Sequence, residues 1–287
     1  MEMKNKGFIL GSALVMIVGG AQADTFGYGG ASIGLSKAHN FGDRDKNQAG
    51  FGTVSGAVAT DVGANGTVIL EALLREDKHR GDIVSNGQET KTQYQIGAHY
   101  LHDIGDNKLG VFLAYSDSPH EGNNENYRAV FGGVEGIFAT TDETSIYAQL
   151  AYGDAHNDGA SSRGFENGYV GRLGGAYKGF TNTLLKVEAE MAKNSGYEDA
   201  PENGYLRKYS LLGETGINSD NSLVLTYGVS YAKFISSGDP DTIEEKRINV
   251  GFRYYFGGTS STKAFDSGLI GVPSIILDSM NWVPTLD

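Results

Sequence analysis

Cysteine is absent from the 287 residues, which excludes disulfide frameworks, thiolate metal sites and cysteine nucleophiles together. Positive charge is in short supply: 23 Lys and Arg stand against 35 Asp and Glu, a formal charge of −12. Binding to nucleic acid is thereby disfavoured, because neutralising phosphates needs a basic face. Beyond the N-terminal segment no run of ~18 consecutive apolar residues occurs, so no transmembrane helix is expected. Proline is scarce too, at 5, whereas glycine reaches 42. Each glycine inside a helix costs about 1 kcal/mol, so this composition argues against a helix-rich enzyme and for an all-β chain.

Residues 1–23 read as a secretory signal. Lys4 and Lys6 form a positive start, Phe8 to Val18 an apolar stretch, and Ala21-Gln22-Ala23 a small-residue cleavage pattern. From Thr25 to Phe256 apolar residues alternate with small or polar ones, in segments longer than the ~5 to 6 residues of ordinary strands. Leu185, Val187, Ala189 and Met191, for instance, oppose Lys186, Glu188 and Glu190. Period two puts each set on one face. Twelve strands are predicted, at 25–37, 49–60, 67–77, 90–102, 108–116, 126–140, 144–154, 165–180, 183–194, 205–217, 222–234 and 246–256. Alternation sustained over ~10 residues suits membrane-spanning strands.

The connections alternate in length. Short turns of Asp, Asn, Gly, Ser and Thr fall at 61–66, 103–107, 141–143, 181–182 and 218–221. Longer, more charged links lie around His39, His79, His120, His156, Glu198 and Asp239. An even strand count with short turns on one rim and long loops on the other describes an antiparallel up-and-down transmembrane β-barrel, with short periplasmic turns and longer extracellular loops. Pro119, Pro201 and Pro240 fall in the predicted long loops, and Pro273 and Pro284 follow the last strand. No predicted strand therefore loses a ladder donor to proline.

In the last strand Ile248, Val250, Phe252, Tyr254 and Phe256 share one face and end on an aromatic. This resembles the terminal-strand signal of Gram-negative outer-membrane β-barrel proteins of porin-like architecture. The resemblance spans nearly all of Thr25 to Phe256. It implies a cell outer-membrane location, delivery by periplasmic chaperones, reading of that strand by the barrel assembly machinery, and contact with outer-membrane lipid and lipopolysaccharide. The chain departs from the pattern in continuing past Phe256. The expected organisation is a signal at 1–23, a barrel at 24–256 and a C-terminal periplasmic extension at 257–287. Residues 257–262 look like a linker. Phe265, Leu269, Ile270, Val272, Ile275, Ile276, Leu277, Met280 and Trp282 then follow without strand alternation, and this tail could dock in the barrel mouth, bind a periplasmic partner or lie frayed.

Strand parity gives a candidate lumen: Glu71, Arg75, Gln93, Gln95, Glu135, Gln149, Arg172, Lys178, Lys186, Glu188, Glu190, Lys208, Glu214, Asn249 and Arg253. Placing Lys or Arg on the lipid face would cost ~2 to 4 kcal/mol at the midplane, so the charged parity belongs inside. Phe112, Phe131 and Tyr147 share it. Twelve strands lie between the ~8 that side chains can fill and the ~16 of wide porins, which allows a modest aqueous passage or a lumen closed by ion pairs.

Chemistry-bearing motifs are weak. Gly30-Ala31-Ser32-Ile33-Gly34 spells a nucleophile elbow but sits inside a strand rather than at a strand-to-helix turn. Asp43 to Asn47 starts like a calcium loop, yet Gln48 and Val54 occupy the glycine and glutamate positions. No phosphate loop, HExxH or H-x-S pair occurs, and no cofactor is implied. His39, His79, His120 and His156, among acidic neighbours, are the candidates for a divalent cation at the mouth. The expected function is passive diffusion of small polar solutes. The competing classes are a non-conducting structural or adhesive barrel, an outer-membrane hydrolase, an autotransporter translocator and a soluble β-sandwich.

Overall fold

A computed structural model describes residues 25–39, 47–80, 89–119, 126–157, 167–195, 204–236 and 242–281. The strands are β1 (Thr25–His39), β2 (Asn47–Val62), β3 (Gly66–Arg80), β4 (Glu89–Ile104), β5 (Asn107–Pro119) and β6 (Asn126–Ala139). They continue with β7 (Thr144–Asn157), β8 (Asn167–Phe180), β9 (Thr183–Ser195), β10 (Gly204–Gly216), β11 (Leu223–Ser236) and β12 (Thr242–Phe256). All twelve form one closed barrel in sequence order, each antiparallel to its neighbours. β1 and β12 seal it in continuous register from Gly27 opposite Phe256 to His39 opposite Glu244. Closure leaves no strand edge unpaired, which is what a bilayer demands of a sheet.

The two faces separate as period two requires. Ile33 (69% exposed), Leu150 (60%) and Phe252 (57%) stand on the outside, with Leu70, Leu113 and Val187 on the same face. So broad an apolar exterior is tolerable in lipid and not in water. Ile248, Val250 and Tyr254 also face outward, and Phe256 is half-buried.

Several strands run further toward the long-loop rim than alternation suggests. β3 reaches Arg80 instead of Asp77, and β12 starts at Thr242 instead of Lys246. The outward face turns polar there, at Lys78 and Glu244, so the pattern fades while the backbone ladder continues. Three histidines expected in loops consequently lie in strands: His39 ends β1, His79 lies in β3 and His156 in β7. His120 falls outside the described residues. Pro119, also expected in a loop, is the last residue of β5, opposite Asn126, where the ladder ends anyway.

The segment after β12, expected as a C-terminal periplasmic extension for which docking in the barrel mouth is one of three open placements, folds back into the barrel. Gly257 (φ 76°) and Gly258 (φ 71°) adopt left-handed conformations that suit glycine and reverse the chain at the short-turn rim. Two short helices follow, α1 (Ser261–Asp266) and α2 (Ile275–Asn281). Ala264, Phe265, Ile270, Val272, Ile275, Ile276 and Leu277 are all buried. Leaving them wet would forgo ~25 cal/mol per Å² of burial, and Val272, Ile275 and Ile276 instead join inward-facing Phe131, Val170 and Leu206 in one buried cluster.

Candidate functional site

The candidate site is the lumen and the segment inside it. Residues 266–278 bond to β3, β7, β8, β9, β10 and β12, and only a segment inside the ring can reach all of these strands.

Toward the short-turn rim, α1 sets Phe265 against Tyr147, ring centroids 5.5 Å apart at an edge-on angle. Lys178 Nζ meets Asp266 Oδ1 at 2.6 Å. Nearby, Arg253 Nη1 donates to Glu214 Oε1 at 2.8 Å, Tyr255 donates to Glu214 Oε2 at 2.6 Å, and Lys186 stands 3.6 Å from Glu214. Arg253 also lies over the Tyr28 ring at 4.0 Å.

In the middle, the wall binds the backbone of the segment between the helices. Val272 N donates to Glu71 Oε1 at 2.6 Å. Arg172 Nη2 donates to the Ile270 and Gly271 carbonyls at 3.0 and 2.6 Å, and Gln149 Nε2 donates to Gly271 O at 3.0 Å and Glu135 Oε2 at 2.7 Å. Tyr147 donates to Glu188 at 2.6 Å. Gly97 makes room here, since a Cβ on it would fall 2.5 Å from Val272 Cγ2.

Toward the long-loop rim, Asp278 of α2 meets three cations. Arg247 Nη1 and Arg75 Nη1 lie 2.5 and 3.1 Å from its Oδ1, and Lys208 Nζ lies 2.6 Å from its Oδ2. Asp77, Glu190 and Glu245 share those cations from the wall. Ser274 donates to Glu190 at 2.8 Å and accepts from Lys208 at 2.6 Å. Burial alone would push the Asp278 carboxyl up. Arg247, Lys208 and Arg75 outweigh it and hold the group well below the usual carboxylate range.

Of the remaining parity candidates, Gln93 is fully buried and Gln95 donates to Ser116 at 3.1 Å. Asn249 lines a cavity of about 300 Å³ left between wall and segment, alongside Arg75, Lys186, Glu188 and Ser274. Sequence reasoning missed His99, whose Nδ1 lies 2.9 Å from Glu135 Oε1 and whose ring is buried against Phe112. It sits on the parity of Gln93 and Gln95, which was the available signal. Arg247 and Asp278 were missed as well. Among the described residues no group of three or more His, Asp or Glu side chains is placed to hold a metal ion, while His120 and the side chains of His39 and His79 lie outside what the structure describes.

No protein-family profile and no curated protein sequence matches the chain. Among solved structures, an outer membrane channel from Pseudomonas putida F1 superposes with a TM-score of 0.61 at 13% identity, covering 81% of this chain and 95% of that one. The translocator domain of the autotransporter NalP from Neisseria meningitidis gives 0.52 at 14% identity, covering 87% and 96%. Likeness at such identities is likeness of fold. With the closed ladder, the apolar exterior and the polar interior, it makes this chain a twelve-stranded outer-membrane β-barrel that carries its own C-terminal segment inside.

Proposed function

We propose that the protein is a channel for small polar solutes that its C-terminal segment holds closed. The observation that carries this reading is the seating of Asp278 among Arg75, Lys208 and Arg247. Filling a barrel for stability alone would favour apolar side chains, since desolvating ion pairs is costly. This interior keeps both charge signs on the wall, and such a wall can be hydrated once the segment leaves. Passage then needs no catalytic group, and selectivity follows from wall charge and width. Removing residues 257–287 tests the proposal in planar bilayers: the truncated barrel should assemble and conduct more than the full chain.

A second reading, a non-conducting structural or adhesive barrel, is favoured by pairs within the wall itself. Arg253, Glu214 and Lys186 interact without the segment and would persist after its removal. A truncated barrel that assembles yet stays silent would establish this reading instead.

A further inference from the structure

The outward face is not uniform near the long-loop rim. Across β12, β1, β2 and β3 runs a groove of about 1070 Å³, bordered by Ile33, Leu35, Val54 and Ile248. Its floor is open at Gly50 and Gly52, where a Cβ would meet no heavy atom within 4 Å. Lys37, Lys78 and Lys246 cap the groove at its rim end. Outward-facing cations continue along the rim through Lys233, Arg207 and Lys193 on β11, β10 and β9.

The register makes this arc unfavourable by itself. Lys37 lies directly opposite Lys246, and Arg207 opposite Lys233. Like charges facing each other across a ladder destabilise it. The carboxylates that relieve the arc among the described residues are Glu76, 3.6 Å from Lys78, and Glu244, 3.7 Å from Lys233. A chain of net charge −12 thus concentrates cations on one outward arc.

We propose that this arc binds the phosphorylated, acylated glycolipid of the outer leaflet. The long-loop rim of such barrels is extracellular, so the cations stand at headgroup height and the groove runs below them into the hydrocarbon layer. Phosphates occupy the positions between Lys37 and Lys246 and between Arg207 and Lys233, and an acyl chain lies over Gly50 and Gly52. A soluble anion would use the cations and leave the groove unexplained. A neutral lipid would do the reverse.

The test uses the full chain, folded in neutral detergent and titrated with bisphosphorylated lipid A under native mass spectrometry. Wild type should retain this lipid, and dephosphorylated lipid A and phosphatidylglycerol should bind far more weakly. Combining Lys37→Gln, Lys246→Gln, Arg207→Gln and Lys233→Gln should weaken binding on the order of a hundredfold or more. Gly52→Leu, which fills the groove from outside without touching the ladder, should also weaken it, whereas Gly132→Leu on the opposite side should not. Equal binding of dephosphorylated lipid A or phosphatidylglycerol to wild type overturns the proposal. So does undiminished binding by the folded quadruple variant or by Gly52→Leu.

Discussion

Every strand of the wall is paired with two neighbours around a closed ring, which the seam of β1 and β12 completes from Gly27 opposite Phe256. Residues 259–281, by contrast, are held by side chains of the wall, which grip both the segment's side chains and its backbone, and they pack two helices of 6 and 7 residues against it. Helices so short do not persist alone in water. The segment therefore depends on the wall, but no backbone bond of the wall ladder depends on the segment. One chain can hold a rigid shell and a detachable filling because ladder closure and lumen packing draw on separate sets of groups.

Asp278→Asn should separate the two most sharply. Removing one partner from a buried ion cluster costs about 3 to 5 kcal/mol. The lower end is expected, because Asp77, Glu190 and Glu245 stay beside the cations. About 3 kcal/mol corresponds to on the order of a hundredfold in the ratio of docked to released segment. Single-channel recording should show a higher open fraction, and hydrogen exchange should rise in 261–281 while the strands stay protected. Loss of strand protection would mean that wall and segment fold as one unit.

Proton titration sharpens the comparison with a smaller effect. The docked Asp278 carboxyl is held below its ordinary value of 3.8. A depressed acid contributes its full stabilisation above the undocked value and loses it as pH falls through the docked one. Conductance should therefore stay low and flat from about pH 8 to pH 5 and rise only below about pH 4. Opening between pH 8 and pH 5 would assign control of docking to another group.

The same contrast explains what the sequence discloses. Strand number, order and inner parity are legible because alternation repeats along every strand, and a misplaced Lys186 or Glu188 would be heavily penalised in lipid. The ends toward the long-loop rim are less legible, because at Lys78 and Glu244 the outward face is polar and alternation loses its contrast. Docking of the segment is least legible. Phe265, Ile275 and Ile276 announce a need for burial without naming a surface, and the position of Asp278 among Arg75, Lys208 and Arg247 depends on strands 31 to 203 residues away. His99 was within reach, since it continues the parity of Gln93 and Gln95, but a histidine in a polar series carries less contrast than a lysine between aliphatic neighbours.

The smallest effect is expected at the other end of the segment. Lys178 and Asp266 approach to 2.6 Å, but the Asp266 side chain is 49% exposed, so water screens the pair. Exposed pairs contribute about 0 to 1 kcal/mol and fade as salt shortens the Debye length. Lys178→Met keeps the apolar stem and removes the charge. It should raise the open fraction by less than about fivefold at low salt, with no difference from wild type at ~1 M KCl. Phe265 would still pack on Tyr147, and the Asp278 cluster would still hold the far end. If Lys178→Met instead opened the channel as fully as Asp278→Asn, α1 rather than α2 would be the anchor, and the segment would be released from the short-turn rim inward.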